Sequence, residues 1–108
     1  MNKGEIWLAK LPILFGKEQA GIRPCLVLVD TDTGLVIVIP LTTNFETLKY
    51  PNTLEIKYSK ENNIQKDSIA LLFQMRAIDR RRLSHKIGNL EDSYMLEIDN
   101  LLKNMFKL

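Results

Sequence analysis

Cysteine and histidine are almost missing from this sequence: Cys25 and His85 are the only ones in 108 residues. One cysteine cannot close an internal disulfide, and one of each cannot assemble the usual Cys/His zinc sites. The reducing cytosol is therefore the expected compartment, and no cofactor is expected. Long hydrophobic runs are also lacking. The longest, Leu35 to Leu41, is far short of the ~20 residues that a membrane span needs, and no signal-peptide core follows Lys3. No membrane association is expected. Repeats, low-complexity tracts and Ser/Gly linkers are absent, so residues 1–108 read as a single domain, a length sufficient for a self-supporting core.

Charge of one sign is scarce as well, with 15 Lys and Arg against 13 Asp and Glu for a net +2. That excess alone does not imply a polyanionic partner. Its distribution is uneven, however: Arg76 to Lys86 holds five basic residues and one acidic residue. Such a run is either a solvated turn or a phosphate-facing patch.

The elements follow from apolar period. Glu5-Ile6-Trp7-Leu8 reads as a strand, as does Arg23 to Val29, whose Cys-Leu-Val-Leu-Val core is short and apolar. Leu35 to Leu41 reads as a further buried strand, with Asp32-Thr33-Gly34 as the hairpin turn before it. Pro40 cannot donate to a ladder, so the chain is expected to leave the sheet there or to run along an edge, exposing Thr42 to Asn44. Asn52 to Tyr58 and Ser68 to Phe73 read as two more strands. After residue 88 the period changes: Met95, Ile98, Leu101, Leu102, Met105 and Phe106 recur at steps of three and four, with Glu91 and Asp92 ahead of them and Lys103 and Lys107 at the end. The expected fold is mainly β (α+β), a small twisted sheet or barrel closed by a C-terminal amphipathic helix. Cys25 and Trp7 are expected in its core.

Several chemistries are excluded. Gly16 to Gly21 has half of a phosphate-loop spacing, but Ile22-Arg23 stand where Lys and Ser or Thr are required, and a strand follows where a helix should. There is no paired-histidine motif and no serine nucleophile elbow, and a cysteine nucleophile would have to lie inside an apolar strand.

The remaining pattern is ordered along the whole chain. Gly4-Glu5-Ile6-Trp7-Leu8 is followed by Glu18-Gln19-x-Gly21-x-Arg23-Pro24 before an apolar strand, then by Pro40-Leu41-Thr42, Asp67-Ser68, Gln74-x-Arg76-x-Ile78-Asp79 and Arg81-Arg82-Leu83. In this order the residues resemble the MazF/PemK family of toxin ribonucleases. The resemblance implies an SH3-like barrel with a C-terminal helix, a homodimer, metal-independent cleavage of single-stranded RNA, and inhibition by a cognate MazE-like antitoxin. It also implies that Arg23 and Thr42 are the catalytic pair. Residue chemistry agrees, because a guanidinium fork fits phosphate oxygens bidentately and a hydroxyl can bond the same phosphate.

Glu18 has two open roles, accepting the 2′-hydroxyl proton or orienting Arg23 as an ion-pair partner. Gln19 and Gln74 either contact RNA or close backbone hydrogen bonds. Thr43, Asn44, Arg76, Arg80 and Arg81 complete the expected RNA-binding set. Where several family members carry an acid, this chain has Phe73, which removes proton transfer at that position and leaves barrel packing or base stacking. The Asp30 to Gly34 connection is also shorter than is common, so no cleavage sequence carries over. Two other functions are open to the same fold: a CcdB-like gyrase poison that cuts nothing, and a degenerate toxin that binds RNA or antitoxin without cleavage.

Overall fold

A computed structural model describes residues 1–12 and 21–108. Glu18 and Gln19 therefore lie outside the described residues. Among the described residues seven strands and one helix follow one another: β1 (Glu5–Leu11), β2 (Gly21–Asp30), β3 (Leu35–Thr42), β4 (Thr53–Ile56), β5 (Ser68–Leu71), β6 (Arg76–Asp79), β7 (Leu83–Asn89) and α1 (Asp92–Phe106). The sheet runs β4-β5-β3-β2-β1-β7, every pairing is antiparallel, and β6 lies on β3 beside β5. β6 and β7 are joined through the short 3-10 turn Arg80–Arg82 without sharing a ladder among the described residues, so the coiled sheet stays open.

Both faces of the central strands are covered, which explains their unbroken apolar runs. Strand residues alternate sides. Cys25, Val27, Val36 and Val38 join Ala9, Leu11, Ile78 and Leu83 in one core. Leu26, Ile39 and Leu41 join Ile6, Ile56, Ala70, Leu72 and Ile98 in the other, where Met95, Leu101, Leu102 and Met105 of α1 pack. The helix stripe is as expected except for Phe106, which is exposed. Trp7 is half-buried at the edge of the first core, and its indole N–H donates to Glu5 Oε1 at 2.9 Å. No helix among the described residues is long and apolar enough to cross a membrane.

The structure corrects four expectations. Pro40 does not end the sheet; it is buried inside β3, across from Cys25. β3 pairs with β6 through Leu35–Val38 and with β5 through Leu41 and Thr42. Pro40 falls in the gap between those two outer partners, where a missing donor breaks no ladder bond on that side. Thr42, expected to be exposed, is consequently buried, and exposure begins at Thr43. Ser68 to Phe73 is not one strand, because the chain turns through a 3-10 segment, Leu72–Gln74, that buries Leu72 and turns Phe73 outward. Finally, the basic run is neither a simple turn nor one patch: it forms β6, the Arg80–Arg82 turn and most of β7. β7 is an edge strand, and its exposed Ser84, His85 and Lys86 suit that place.

Asn62 ties the 59–64 turn to the rest. Its side-chain oxygen accepts from the N–H groups of Ser59 (3.0 Å) and Ile64 (3.3 Å), and its amide donates to Lys57 O (2.9 Å) and Glu91 Oε1 (3.0 Å). Gly88 of β7 abuts the same turn: a Cβ there would lie 2.5 Å from the Asn62 carbonyl oxygen, so only glycine fits. Asn63 Nδ2 donates to Ile87 O at 3.0 Å and Asn89 N–H to Glu61 O at 3.0 Å, so the turn that leads into Gln65 and Lys66 is tied to β7.

Candidate active site

Register brings the first two candidates together. The β2/β3 ladder pairs Val27 with Val38, Leu26 with Ile39 and Cys25 with Pro40. Extending it by two residues sets Arg23 across from Thr42, at adjoining ends of two central strands. Both line one open cleft of about 670 Å³, together with Thr43.

Elements distant in sequence supply the rest of the cleft. Lys66 comes from the segment before β5, and His85 and Lys86 come from β7, where His85 pairs across β1 through Leu8, the residue that also faces Pro24. The Lys66 backbone is held by Ser68, whose hydroxyl donates to Lys66 O at 2.9 Å, and neighbouring Asp67 accepts from Tyr58 N–H at 2.9 Å. Lys86 Nζ is 3.6 Å from Glu5 Oε2. Among its described lining residues the cleft has three cationic side chains and no carboxylate. Such a site attracts an anion.

The Thr42 hydroxyl oxygen accepts from Asn44 N–H at 3.2 Å, which leaves its own O–H to donate. Burial pushes the Cys25 thiol up to about 12, against the opposing pull of the Arg76 and Arg23 guanidinium groups. The thiol stays protonated at neutral pH, so the sole cysteine is inert as a nucleophile.

The other candidates disperse. Asn44 and Gln74 line a second recess beside the first. Arg76 is half-buried on β6, bonded through Nη2 to Gln74 Oε1 at 3.2 Å, while its buried Nη1 has no hydrogen-bond partner among the described residues. Arg80 is drawn to the β2/β3 hairpin by Asp30, 3.1 Å away. Arg81 grips Asp79 with two side-chain bonds of 2.9 and 3.0 Å, and these hydrogen bonds together with that from the Arg81 backbone hold the Asp79 carboxyl down at about 2. Neither Arg80 nor Arg81 lines the cleft. Sequence reasoning missed Gln65, Lys66, His85 and Lys86 as cleft residues. Their only signals were the position of Lys66 beside Asp67-Ser68, the uniqueness of His85, and the inclusion of Lys86 in the basic run. Among the described residues, no three His, Cys, Asp or Glu side chains gather to hold a metal ion.

Residues 2–106 match the model of the PemK-like, MazF-like toxin of type II toxin-antitoxin systems. An endoribonuclease MazF of Staphylococcus epidermidis is 38% identical over 107 residues, covering 94% of this chain and 88% of that protein. The crystal structure of MazF from Deinococcus radiodurans superimposes with a TM-score of 0.82 at 21% identity, covering 100% of this chain and 97% of the other. A mycobacterial endoribonuclease in complex with its cognate antitoxin gives a TM-score of 0.75 at 16% identity, covering 98% and 94%. At those identities the two structures speak for the fold.

Proposed function

Because the chain belongs to the PemK-like, MazF-like family of type II toxin-antitoxin toxins, we propose that it is an endoribonuclease toxin whose scissile phosphate sits in the Arg23–Thr42 cleft. The observation that carries this reading is the meeting of Arg23 and Thr42 in a cleft with two further cations and no carboxylate in its described lining.

The reaction follows from these groups. A ribose 2′-hydroxyl attacks the adjacent phosphorus, and the bond to the 5′-oxygen of the next nucleotide breaks, leaving a 2′,3′-cyclic phosphate and a 5′-hydroxyl. Arg23 clamps the non-bridging oxygens with its planar fork, stabilising the charge that accumulates in the phosphorane. Thr42, anchored by Asn44 N–H, donates to the same phosphate from a site where little water competes. Glu18 is assigned the 2′-hydroxyl proton on the chemistry of its type, and the departing 5′-oxygen takes its proton from Arg23, both groups then re-equilibrating with solvent. The step requires no metal. Gln19, Thr43, Asn44 and Gln74 contact the strand, and Arg76, Arg80 and Arg81 add positive potential at longer range. Residues 1–108 act as one domain in the cytosol. A homodimer doubles the field offered to RNA, and a cognate antitoxin whose acidic segment lies over the cleft restrains it.

The test is a gel assay of the purified protein on long single-stranded RNA, with supercoiled DNA and gyrase in parallel. Discrete RNA fragments with untouched DNA topology are expected. Intact RNA combined with trapped gyrase-DNA complexes would overturn the proposal in favour of a gyrase poison.

A further inference from the structure

Glu5 and Trp7 belong to the run that opens the ordered sequence pattern, and neither takes part in the chemistry assigned to Arg23 and Thr42. They lie two apart on β1, so their side chains share a face. The Trp7 indole N–H donates to Glu5 Oε1 at 2.9 Å, and the other carboxylate oxygen, Oε2, lies 3.6 Å from Lys86 Nζ. Lys86 in turn pairs with Trp7 across the β1/β7 ladder and lines the cleft. The three side chains form a clasp with one fixed and one open end: the Glu5 side chain is 12% exposed and that of Lys86 41%.

Burial works against the charge on Glu5, but the hydrogen bonds with Trp7 and the Asn2 backbone and the nearby charge of Lys86 outweigh it, so its carboxyl stays below the usual value. The clasp is ionised at neutral pH. Its 3.6 Å separation exceeds the roughly 2.7–2.9 Å of a charge-assisted hydrogen bond, so Glu5 aims the ammonium by charge without taking up its N–H donors. A lysine stem samples many rotamers, and a fixed counter-ion removes part of that freedom before a ligand arrives. β7 lies two ladder steps from β2, with β1 between them, a backbone separation of roughly 10 Å. One phosphate group is too small to bridge Arg23 and Lys86 across that span. Another phosphate of the same strand can occupy the far end, where Lys66 and His85 also line the cleft.

We propose that Lys86 binds a second phosphate of the RNA strand, flanking the scissile one, and that Glu5, held by Trp7, is the positioning residue that presents it. The inference rests on the endoribonuclease reading of the cleft. Field and position make opposite predictions for Glu5. A carboxylate beside a cationic cleft repels a polyanion, so by charge alone its removal strengthens RNA binding. A carboxylate that presents Lys86 weakens RNA binding when it is removed.

The experiment compares the unaltered protein with Lys86→Met, Glu5→Gln and the double variant. It measures kcat and KM on a short RNA with one mapped cut site and, over a range of salt, Kd for the same strand made uncleavable by a 2′-deoxynucleotide at the cut. Methionine keeps most of the apolar stem and glutamine keeps the acceptor for Trp7, so folding is preserved; the melting temperature and the emission of Trp7, the sole tryptophan, check this. Lys86→Met is expected to raise KM and Kd about tenfold and to make the salt dependence of binding shallower by about 0.7 in log-log slope. Its kcat should change little, because a contact away from the scissile bond is made equally in the ground and transition states. Glu5→Gln should raise Kd roughly threefold, and should add nothing on the Lys86→Met background, since it acts through Lys86. A neutral methylphosphonate moved along the strand should, at one flanking position, penalise the unaltered protein and not Lys86→Met. An unchanged or lower Kd in Glu5→Gln would overturn the positioning role. An unchanged Kd in Lys86→Met, with no such methylphosphonate position, would overturn the second phosphate site while leaving the endoribonuclease reading intact. Failure of the unaltered protein to cut RNA would overturn that reading and this inference with it.

Discussion

Arg23→Ala is expected to lower RNA cleavage about a hundredfold to a thousandfold, the usual cost of removing one transition-state donor. Arg23 is half-buried at the beginning of β2 and belongs to neither hydrophobic core, so the melting temperature should move by only a few degrees. The loss should fall on kcat, because a clamp on the phosphorane acts in the transition state. Arg23→Lys separates geometry from charge. Lysine preserves the cation but donates from a point, without the planar fork. A true bidentate clamp should therefore remain strongly impaired, whereas a merely electrostatic contact would be largely rescued. Near wild-type cleavage by Arg23→Lys, or collapse of the fold in Arg23→Ala, would remove Arg23 from the catalytic assignment.

The largest expected effect on stability lies at Asn62. This side chain is fully buried and uses all its hydrogen-bonding capacity, accepting from two backbone N–H groups and donating to Lys57 O and Glu91 Oε1. Asn62→Ala leaves those partners without it, and each buried polar group that finds no replacement costs about 1–3 kcal/mol. A total loss of about 3 kcal/mol, seen as a melting temperature more than about 10 °C lower in a chain of this length, is the expected result by calorimetry. Asn62→Asp keeps the acceptors, loses both donors and sets a second carboxylate against Glu91, so it should be at least as damaging at neutral pH. A melting temperature unchanged in Asn62→Ala would show that the turn is held by other contacts. Because this turn leads into Gln65 and Lys66, the prediction also concerns the wall of the cleft.

How much was legible in the sequence depended on whether a residue's position is set by local pattern or by distant pairing. The runs at Cys25–Val29 and Leu35–Leu41 announced buried strands, and the turn between them fixed a hairpin whose register brings Arg23 toward Thr42. The catalytic candidates were thus readable as two strand ends. The α1 stripe was readable for the same reason. Pro40 misled because a local rule about missing donors was applied without knowing that β3 changes its outer partner at that point. β6 and β7 were not seen as strands because their charges hide the period. β6 sits at an edge with Ala77 exposed and only Ile78 buried, and β7 buries only Leu83 among its first four residues. With β7 missed, nothing could bring His85 and Lys86 into the same cleft as Arg23, since that placement runs through the β1 pairing and its bulges. Lys66 likewise depends on the long-range bonds of Asn62.

The central claim is that the cleft directs a 2′-hydroxyl at its neighbouring phosphate without a metal. The most direct measurement uses a single-stranded RNA with one mapped cut site, prepared both as all-ribose and with one 2′-deoxynucleotide on the 5′ side of that site, each incubated with the protein in excess EDTA. The account predicts that the all-ribose strand is cut to a 2′,3′-cyclic phosphate and a 5′-hydroxyl, and that the single deoxy substitution abolishes the cut. Cleavage of the deoxy strand at the same position, or loss of all-ribose cleavage in EDTA with recovery on adding Mg²⁺, would contradict it.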